Sequence, residues 1–379
     1  MIKKLKVKNY KALRHVEIDL TPIHVLIGPN DTGKTSILEV LSALSQSVDM
    51  ELSHAFPGAW KGAELVWAGS TNSLVEIEVE FDGDSENDAI TDYGFSAEFF
   101  PGDQRTAIFR KGYIRQGDNL LKLDGPRQTV EFRSVRKLLE GAHFYHWDPE
   151  FLALPVALNP KRRFQMESSG FGLALCLDEI LGFDRKRFTE LENRFIKIFP
   201  PIDSIGLQQE KAYRSASEIH DTVTMLQREN GKGIYFKLKD AEQRVPASQA
   251  SDGTLLMLAY LTILYLPKPP RFLLIEEPEN GIHPKRLQDV LKVLRELVQE
   301  QKHTQIVMTT HSPYVLDLFQ PDEVTLCTKL PNGEIKTTRL SDSPTVIKHR
   351  KIFTLGEIWT SEGDEKIAQS QNTAGGSAE

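Results

Sequence analysis

Apolar and polar residues alternate from the first positions of the chain. Ile2, Leu5 and Val7, then Val16, Ile18 and Leu20, predict two strands around the turn Asn9-Tyr10-Lys11-Ala12. The continuous apolar run Ile23–Ile27 predicts a buried strand. After it, Ile37, Leu38, Val40, Leu41 and Leu44 recur at helical spacing. Strand patterns return over Leu74–Phe81, Tyr93–Phe100, Ala107–Ile114 and Thr129–Phe132, separated by breaks such as Asp82-Gly83-Asp84. Together they predict a mostly antiparallel sheet built onto the strand–helix pair before it. His143–Trp147 adds one more apolar stretch ahead of Pro149 and Pro155.

From about Pro155 the period changes to that of a helix. Cys176, Leu177, Ile180 and Leu181, then Phe188, Leu191, Phe195 and Ile198, mark one face of each of two helices ending at Pro200-Pro201. Val223 and Met225, with Ile234, Phe236 and Leu238, predict a hairpin around Asn230-Gly231-Lys232-Gly233. Leu255–Leu266 is an apolar helix. Phe272–Ile275 and Gln305–Met308 are short apolar strands of the parallel type, and Leu287, Val290, Leu291, Leu294 and Leu297 line a helix between them. Glu323–Cys327 and Glu334–Leu340 flank Pro331-Asn332-Gly333, a second hairpin pattern. No heptad is sustained between residues 36 and 250, which speaks against a coiled-coil arm, and no internal repeat is visible. The small, polar tail Gln369–Glu379 has the composition of a disordered segment.

Composition narrows the class. With 379 residues, 40% hydrophobic and 26% charged, the chain is an ordinary globular sequence with room for two or three compact units. A formal net charge of -7 argues against a surface that grips nucleic acid throughout and leaves only local basic tracks as candidates. The two cysteines, Cys176 and Cys327, sit among apolar neighbours, as reduced core residues of a cytoplasmic protein do. The N-terminus alternates lysine with apolar residues, unlike a signal peptide, and Leu255–Leu266 is too short to span a bilayer, so no membrane association is expected.

Four stretches carry candidate chemistry. In Gly28-Pro29-Asn30-Asp31-Thr32-Gly33-Lys34-Thr35 two glycines five apart precede Lys and Thr, the phosphate-loop pattern, between a predicted strand and a predicted helix. Backbone N–H groups of Asn30, Asp31, Thr32, Gly33, Lys34, Thr35 and Ser36 would face phosphate oxygens, and the helix dipole favours the negative charge. Lys34 would reach the outer phosphates and the Thr35 hydroxyl would ligate magnesium. The second stretch is the strand Phe272–Ile275 ending in Glu276-Glu277, which puts two carboxylates at the carboxyl edge of a parallel sheet, where ligands of such sheets bind. Glu276 suits the metal and Glu277 the orientation of an attacking water. The third is His311, directly after another apolar strand, at the same edge and within reach of a γ-phosphate. The fourth, Ser248-Gln249-Ala250-Ser251-Asp252-Gly253-Thr254 before the apolar helix, is by itself an ordinary capped helix. Beside a phosphate loop it is a second anion site, far away in sequence, that would serve another copy.

In this order the four stretches resemble the ABC-type ATPase heads of the RecF, SMC and OLD (overcoming lysogenization defect) group. Ile2–Tyr10 resembles that group's first strand and aromatic turn, Gly28–Ser36 its Walker A, and Ile275–Glu279 its Walker B with the following acid. Glu279–Pro284 resembles its D-loop, Thr310–Pro313 its switch-histidine segment, and Ala250–Thr254 its degenerate ABC signature. The resemblance spans most of residues 1–328. It implies an α/β P-loop NTPase fold with an ABC-type two-lobed head: a mixed-sheet lobe carrying the Walker motifs and a mainly helical lobe carrying the signature. The implied boundaries are 1–154 and 267–345 for the two parts of the ATPase lobe, 155–266 for the helical lobe, and 346–379 for a C-terminal extension.

The resemblance also implies a homodimer, extendable to higher oligomers, that sandwiches two ATP molecules with Mg2+. Each nucleotide would lie between the Walker A of one subunit and Ser251-Asp252-Gly253 of the other. Lys34, Glu277 and His311 would be the catalytic residues, and Thr35 and Glu276 the metal ligands. Hydrolysis would release the heads and gate a DNA contact or a partner effector, in DNA repair or anti-phage defence. A rival reading is a sensor or scaffold whose ATP is structural and barely hydrolysed. A transporter ATPase is disfavoured, because Asp252 and Thr254 replace Gly and Gln of the transporter signature. Glu276 stands where most relatives carry Asp, which implies a longer or water-mediated metal contact. The segment after Thr328 is short for a Toprim nuclease domain, so if nuclease action belongs to this system a partner chain is expected to supply it, and Glu357, Glu362, Asp364 and Glu365 are expected on solvated helix faces. The basic clusters Lys161-Arg162-Arg163, Arg185-Lys186-Arg187 and Lys348-His349-Arg350-Lys351 fit either solvated patches or a salt-sensitive track for DNA phosphates. His143 and His146 lack a cysteine or carboxylate at ligand spacing and are discounted as a metal pair.

Overall fold

The alternation at the N-terminus folds as expected. Strands β1 (Ile2–Tyr10) and β2 (Leu13–Asp19) pair antiparallel with Val7 opposite Val16, around a turn in which Asn9 (φ 66°) and Lys11 (φ 45°) are left-handed. The computed structural model describes residues 1–56, 62–67, 74–82, 90–99, 107–123, 130–158, 166–220, 229–240 and 242–369. These fall into two units, one of Met1–Phe144, Arg271–Glu277 and His303–Glu379, the other of Tyr145–Pro270 and Pro278–Lys302.

In the first unit β3 (Ile23–Ile27) is wholly buried and runs into helix α1 (Lys34–Ser47). After the short helix α2 (Leu52–Ala55) come β4 (Leu74–Phe81), β5 (Ile90–Phe99), β6 (Ala107–Gln116) and β7 (Asn119–Leu123). They extend β1 and β2 into an antiparallel sheet of order β2-β1-β4-β5-β6-β7. Every second residue of β4 is buried, the mark of a sheet with one face on the core. Val130–Phe132 is not a strand. It opens helix α3 (Val130–Leu139), in which Phe132, Val135 and Leu139 are buried at helical spacing; four residues hold too little pattern to separate the two periods. Thr129 and Phe100 lie outside the described residues. The strand that does follow β6 is β7, where Leu123 alone is buried, so the alternation never shows.

A second sheet of the first unit carries the parallel strands. Strand β8 (Ala142–Tyr145) stands at one edge of it; its last residue begins the second unit, which next contains helix α4 (Pro149–Leu152) and strand β9 (Val156–Ala157). There the predicted helical pair forms α5 (Leu173–Phe183) and α6 (Arg185–Ile198), the latter capped by Asp184. Strands β10 (Ile202–Ala212), β11 (Glu229–Leu238) and β12 (Arg244–Pro246) follow, and β9 pairs with β11. Asn230-Gly231-Lys232-Gly233 is therefore no turn. It lies inside β11, opposite Lys211–Gln208 of β10. Its glycines serve close approach, since a Cβ on Gly231 would lie 2.1 Å from the Val156 carbonyl oxygen. Val223 and Met225 lie outside the described residues. Helix α7 (Asp252–Leu264) is buried from Thr254 to Leu264, all round, as the core helix of this unit, with Tyr260 packed on Trp147 at 4.6 Å.

Back in the first unit, β13 (Phe272–Glu276), β14 (Gln305–Thr309) and β15 (Val324–Lys329) join β3 in parallel; the predicted helix between β13 and β14 is α8 (Pro284–Glu300), in the second unit. Strand β16 (Ile335–Arg339) closes the expected hairpin with β15 through Gly333 (φ 83°), giving the order β16-β15-β3-β14-β13-β8. Helices α9 (Pro313–Leu316), α10 (Pro344–His349) and α11 (Leu355–Ala368) complete the unit. Residues 370–379, the polar tail, lie outside the described residues.

Candidate nucleotide-binding site

Strand register brings the first three motifs to one sheet edge. Glu276 lies beside Thr309, Thr309 beside Leu26, and Leu326 beside Ile27, so β13, β14 and β3 end at the same level while β15 runs on to Lys329. The loops that leave those ends carry Glu277, His311 and the phosphate loop. This is the carboxyl edge where open α/β sheets bind ligands.

The phosphate loop is shaped by two glycines. Gly28 (φ 136°) passes so close to β15 that a Cβ would lie 2.1 Å from the Cys327 carbonyl oxygen. Gly33 (φ 77°) packs on β2 and β16, where a Cβ would meet Leu13 Cδ2 at 2.9 Å and Ile335 Cγ1 at 3.3 Å. Between them Asp31 (φ 61°) is left-handed and paired with Lys329, and Thr32 Oγ1 donates to the Pro29 carbonyl at 2.7 Å. Asn30, Asp31 and Thr35 are exposed, Gly33 and Ser36 partly so. Exposed residues of the loop and of the first turn of α1 thus stand beside the buried Thr32 and Lys34.

Lys34 is folded onto its own loop. Its Nζ donates to the carbonyls of Gly28 at 2.9 Å and Pro29 at 2.7 Å, and the residue is buried. Burial holds the ammonium below the usual lysine range, against the opposing pull of Cys327 and of the carboxylates of Glu277, Asp364 and Glu276. Three carboxylates therefore offset part of the burial cost of one cation, a balance that an incoming polyphosphate would shift further in favour of the charged form.

The two acids divide the edge. Thr35 Oγ1 donates to Glu276 Oε1 at 2.5 Å, which joins a hydroxyl and a carboxylate from distant parts of the chain. Hard oxygen donors on an exposed rim fit a magnesium ion, which takes one or two protein ligands and completes its shell with water and phosphate oxygens. Glu277 is left-handed (φ 44°) and is pinned by its N–H to Thr309 O at 3.1 Å and to Thr309 Oγ1 at 3.3 Å. A non-glycine residue in that region costs roughly 1–3 kcal/mol and persists where its surroundings over-determine it. The conformation aims the carboxylate at His311, whose Nε2 lies 3.3 Å from Glu277 Oε1. The His311 segment is fixed in turn by Thr310 N–H on the Leu26 carbonyl at 3.1 Å and by Ser312 N–H on Thr310 Oγ1 at 3.0 Å.

Ser251, Asp252 and Gly253 belong to the second unit. Ser251 is the N-cap of α7, its Oγ accepting from Thr254 N–H at 3.3 Å, and Ser251 and Asp252 are exposed. The segment expected as a D-loop rests on this turn: a Cβ on Gly281 (φ 76°) would lie 3.0 Å from Leu256 Cδ1 and 3.4 Å from Asp252 Cβ.

Several contributors were invisible in the sequence. Thr309, Lys329 and the Cys327 carbonyl shape the edge, yet none was singled out from the sequence. Asp364 belongs to α11, accepts a bond from Trp359 Nε1 at 2.7 Å, and adds to the field at Lys34, so it is more than a solvated helix face. Glu357 completes a capping box with Thr354, and Glu362 pairs with Lys366 at 3.1 Å. Among the basic clusters, Arg187 is structural, donating to the Leu266 carbonyl at 2.8 Å, and Arg350 bonds Gln320. Lys161-Arg162-Arg163 lies outside the described residues. Burial pushes His143 below the usual histidine range, and among the described residues no group of three or more His, Cys, Asp or Glu could hold a metal ion. No helix among the described residues is long and apolar enough to cross a membrane.

Comparison with known proteins fits this geometry. Residues 23–317, from the strand before the phosphate loop to the helix after His311, match the family described as "AAA domain, putative AbiEii toxin, Type IV TA system". The chain is 22% identical over 391 aligned positions to the OLD nuclease of Thermus scotoductus, covering 94% of this chain and 68% of that protein. Among solved structures it resembles an SMC head bound to the C-terminal winged-helix domain of ScpA, with a TM-score of 0.54 at 17% identity, over 90% of this chain and 98% of that one. An SMC head with an extended coiled coil, bound to the C-terminal domain of ScpA derived from Pyrococcus furiosus, gives 0.51 at 13% identity, over 92% and 99%. The fold is that of an ABC-type ATPase head of the RecF/SMC/OLD group, and the chain belongs to the AAA-domain family that its residues 23–317 match.

Proposed function

We propose that this chain binds ATP with Mg2+ at the edge formed by Gly28–Ser36, Glu276, Glu277 and His311, hydrolyses it, and uses the cycle as a switch between two copies. The loop N–H groups and the N-terminus of α1 hold the phosphates, and Lys34 exchanges its carbonyl partners for the outer phosphate oxygens. The metal, held by Thr35 and Glu276, supplies charge neutralisation on those oxygens. Glu277 orients a water and draws on its proton while the water oxygen forms the new bond to the γ-phosphorus. The bond from that phosphorus to the bridging oxygen breaks, and ADP leaves. His311 donates to a γ-phosphate oxygen and, beside Glu277, registers its departure.

The observation that carries this proposal is the Glu277–His311 contact of 3.3 Å next to the Thr35–Glu276 bond of 2.5 Å. Phosphate release by the purified chain with ATP and Mg2+ tests it. Glu277→Gln should lower turnover by about 10²-fold or more while ATP is still bound, the usual scale for loss of a general base. A variant that hydrolyses ATP like the wild type would remove Glu277 from this role.

A wild-type chain that binds ATP without turnover, with or without DNA, would instead be a sensor or scaffold with structural ATP. The likeness to an OLD nuclease and the toxin–antitoxin wording of the family are in keeping with a defence role, with DNA or a partner effector as the target of the switch.

A further inference from the structure

We propose that the end of α10 and the turn after it, residues 346–353, form a docking surface for an acidic segment of a partner protein that carries bulky apolar residues. Three large apolar side chains stand out of the protein here. Ile347 is 56% exposed, Phe353 48%, and Ile352 80%, the highest figure for any large apolar residue among those described. Exposed apolar residues scattered singly are ordinary, but three within seven positions make a patch. Beside them lies a hollow of about 550 Å³ whose lining includes Pro321, Val346, Ile347, Arg350 and Lys351.

The patch is held out by a fixed backbone. Arg350 N–H donates to the Val346 carbonyl at 2.9 Å, and the N–H groups of Ile352 and Phe353 donate to the His349 carbonyl at 3.0 and 3.1 Å. Thr354 then opens α11 in its capping box with Glu357. The Arg350 guanidinium bonds Gln320, and Gly356 N–H donates to Asp317 Oδ1 at 2.8 Å. A Cβ on Gly356 would lie 2.4 Å from the Pro313 carbonyl oxygen, so α11 is seated directly on α9. A surface ordered in this way loses little conformational freedom when a partner docks.

Charge selects the occupant. Residues 346–353 include Lys348, Arg350 and Lys351, all exposed, and no acid, in a chain whose formal net charge is -7. The hollow is lined by two cations, Arg350 and Lys351, against one acid, Asp322. An apolar centre with a cationic rim is complementary to apolar anchors flanked by carboxylates. A DNA backbone would satisfy the cations but leave Ile347, Ile352 and Phe353 facing phosphates, since such interfaces are polar and charged. A bilayer surface offers no side chain of its own to fill a hollow.

The test uses the full chain without nucleotide, so its outcome is independent of the function proposed above. The probes are a fluorescent peptide of Glu, Leu and Phe, its twin with Lys in place of Glu, a DNA duplex, and phosphatidylserine vesicles. Anisotropy follows the first three and co-sedimentation the vesicles. The acidic peptide should bind and its twin should not. Ile352→Ser should weaken the acidic peptide by about tenfold or more, the scale of a lost interface anchor, with thermal unfolding unchanged. Lys348→Glu combined with Lys351→Glu should lose the acidic peptide and gain the twin, which a misfolded chain could not do. Equal binding of the two peptides, binding of neither, or an acidic peptide that holds Ile352→Ser as it holds the wild type overturns the proposal. DNA or vesicles bound in preference to the acidic peptide, and released by the double charge variant, would give the patch to a different partner and overturn it too.

Discussion

A carbonyl oxygen decides the residue at position 28. With φ at 136° and the Cys327 oxygen 2.1 Å from where a Cβ would stand, any side chain must displace either the loop or the end of β15. The glycine is required because strand and loop meet there, and its place in the motif follows from that contact. Gly28→Ala should cost roughly 1–3 kcal/mol of stability and, by moving the N–H groups, more than tenfold in ATP affinity, read by thermal unfolding and calorimetry. An alanine variant with unchanged affinity would show that the loop is not the cradle. Glu277 follows a similar logic in reverse: a left-handed, non-glycine residue is retained at a site where two bonds from its N–H to Thr309 hold it.

At the scale of elements, the parallel sheet carries a buried histidine. His24 of β3 is fully buried between Thr21 Oγ1 at 3.2 Å and Thr325 Oγ1 of β15 at 2.9 Å. Burial, and then the charge of Arg339, lower its pKa from 6.5 to about 3. Above pH 6.5 the ring is neutral in both the folded and the unfolded chain and contributes no slope. Between 6.5 and about 3 only the unfolded chain takes up the proton, so stability is lost as the pH falls, by about 1.4 kcal/mol per unit. Urea unfolding at pH 7 and pH 5 should show a loss in the wild type that is visibly smaller in His24→Gln. Equal losses would mean that His24 is not the group responsible. The same sheet explains why β13 and β14 read so clearly: strands covered on both faces are continuous apolar runs. Elements with fewer buried positions, such as β7, leave no such trace.

At the scale of the whole molecule, the proposed switch needs a second copy. In that proposal the turn Ser251-Asp252-Gly253 would close over the nucleotide held by its neighbour. Glu277→Gln with ATP and Mg2+ should therefore elute as a dimer, and removal of the nucleotide should return it to a monomer. A Cβ on Gly253 would meet, among the described residues, only the Gly281 carbonyl at 3.5 Å, an ordinary contact, so a larger side chain fits within the protomer. Gly253→Arg in the Glu277→Gln background should then bind ATP normally and remain monomeric by light scattering. A double variant that still dimerises would take the signature turn out of the interface.

The strand–loop–helix around Gly28–Thr35, the acids at the end of β13, the place of His311 after β14 and the parallel strands were legible from residue order, because each is written in a contiguous stretch whose spacing reflects its own backbone. The family resemblance they carry agrees with the matched AAA domain and the head fold. Contacts between distant stretches were not legible. Asn230–Gly233 has the composition of a turn, yet the approach of Val156 makes it strand, and Val130–Phe132 becomes helix because Val135 and Leu139 extend its buried face. Asp364 near Lys34, Thr309 beneath Glu277 and Trp67 against the β1–β2 turn likewise depend on which elements become neighbours. Local order along the chain encodes the parts proposed to hold phosphate, whereas packing alone chooses the groups that press on them, since a non-local contact leaves no periodic mark in either of the segments that make it.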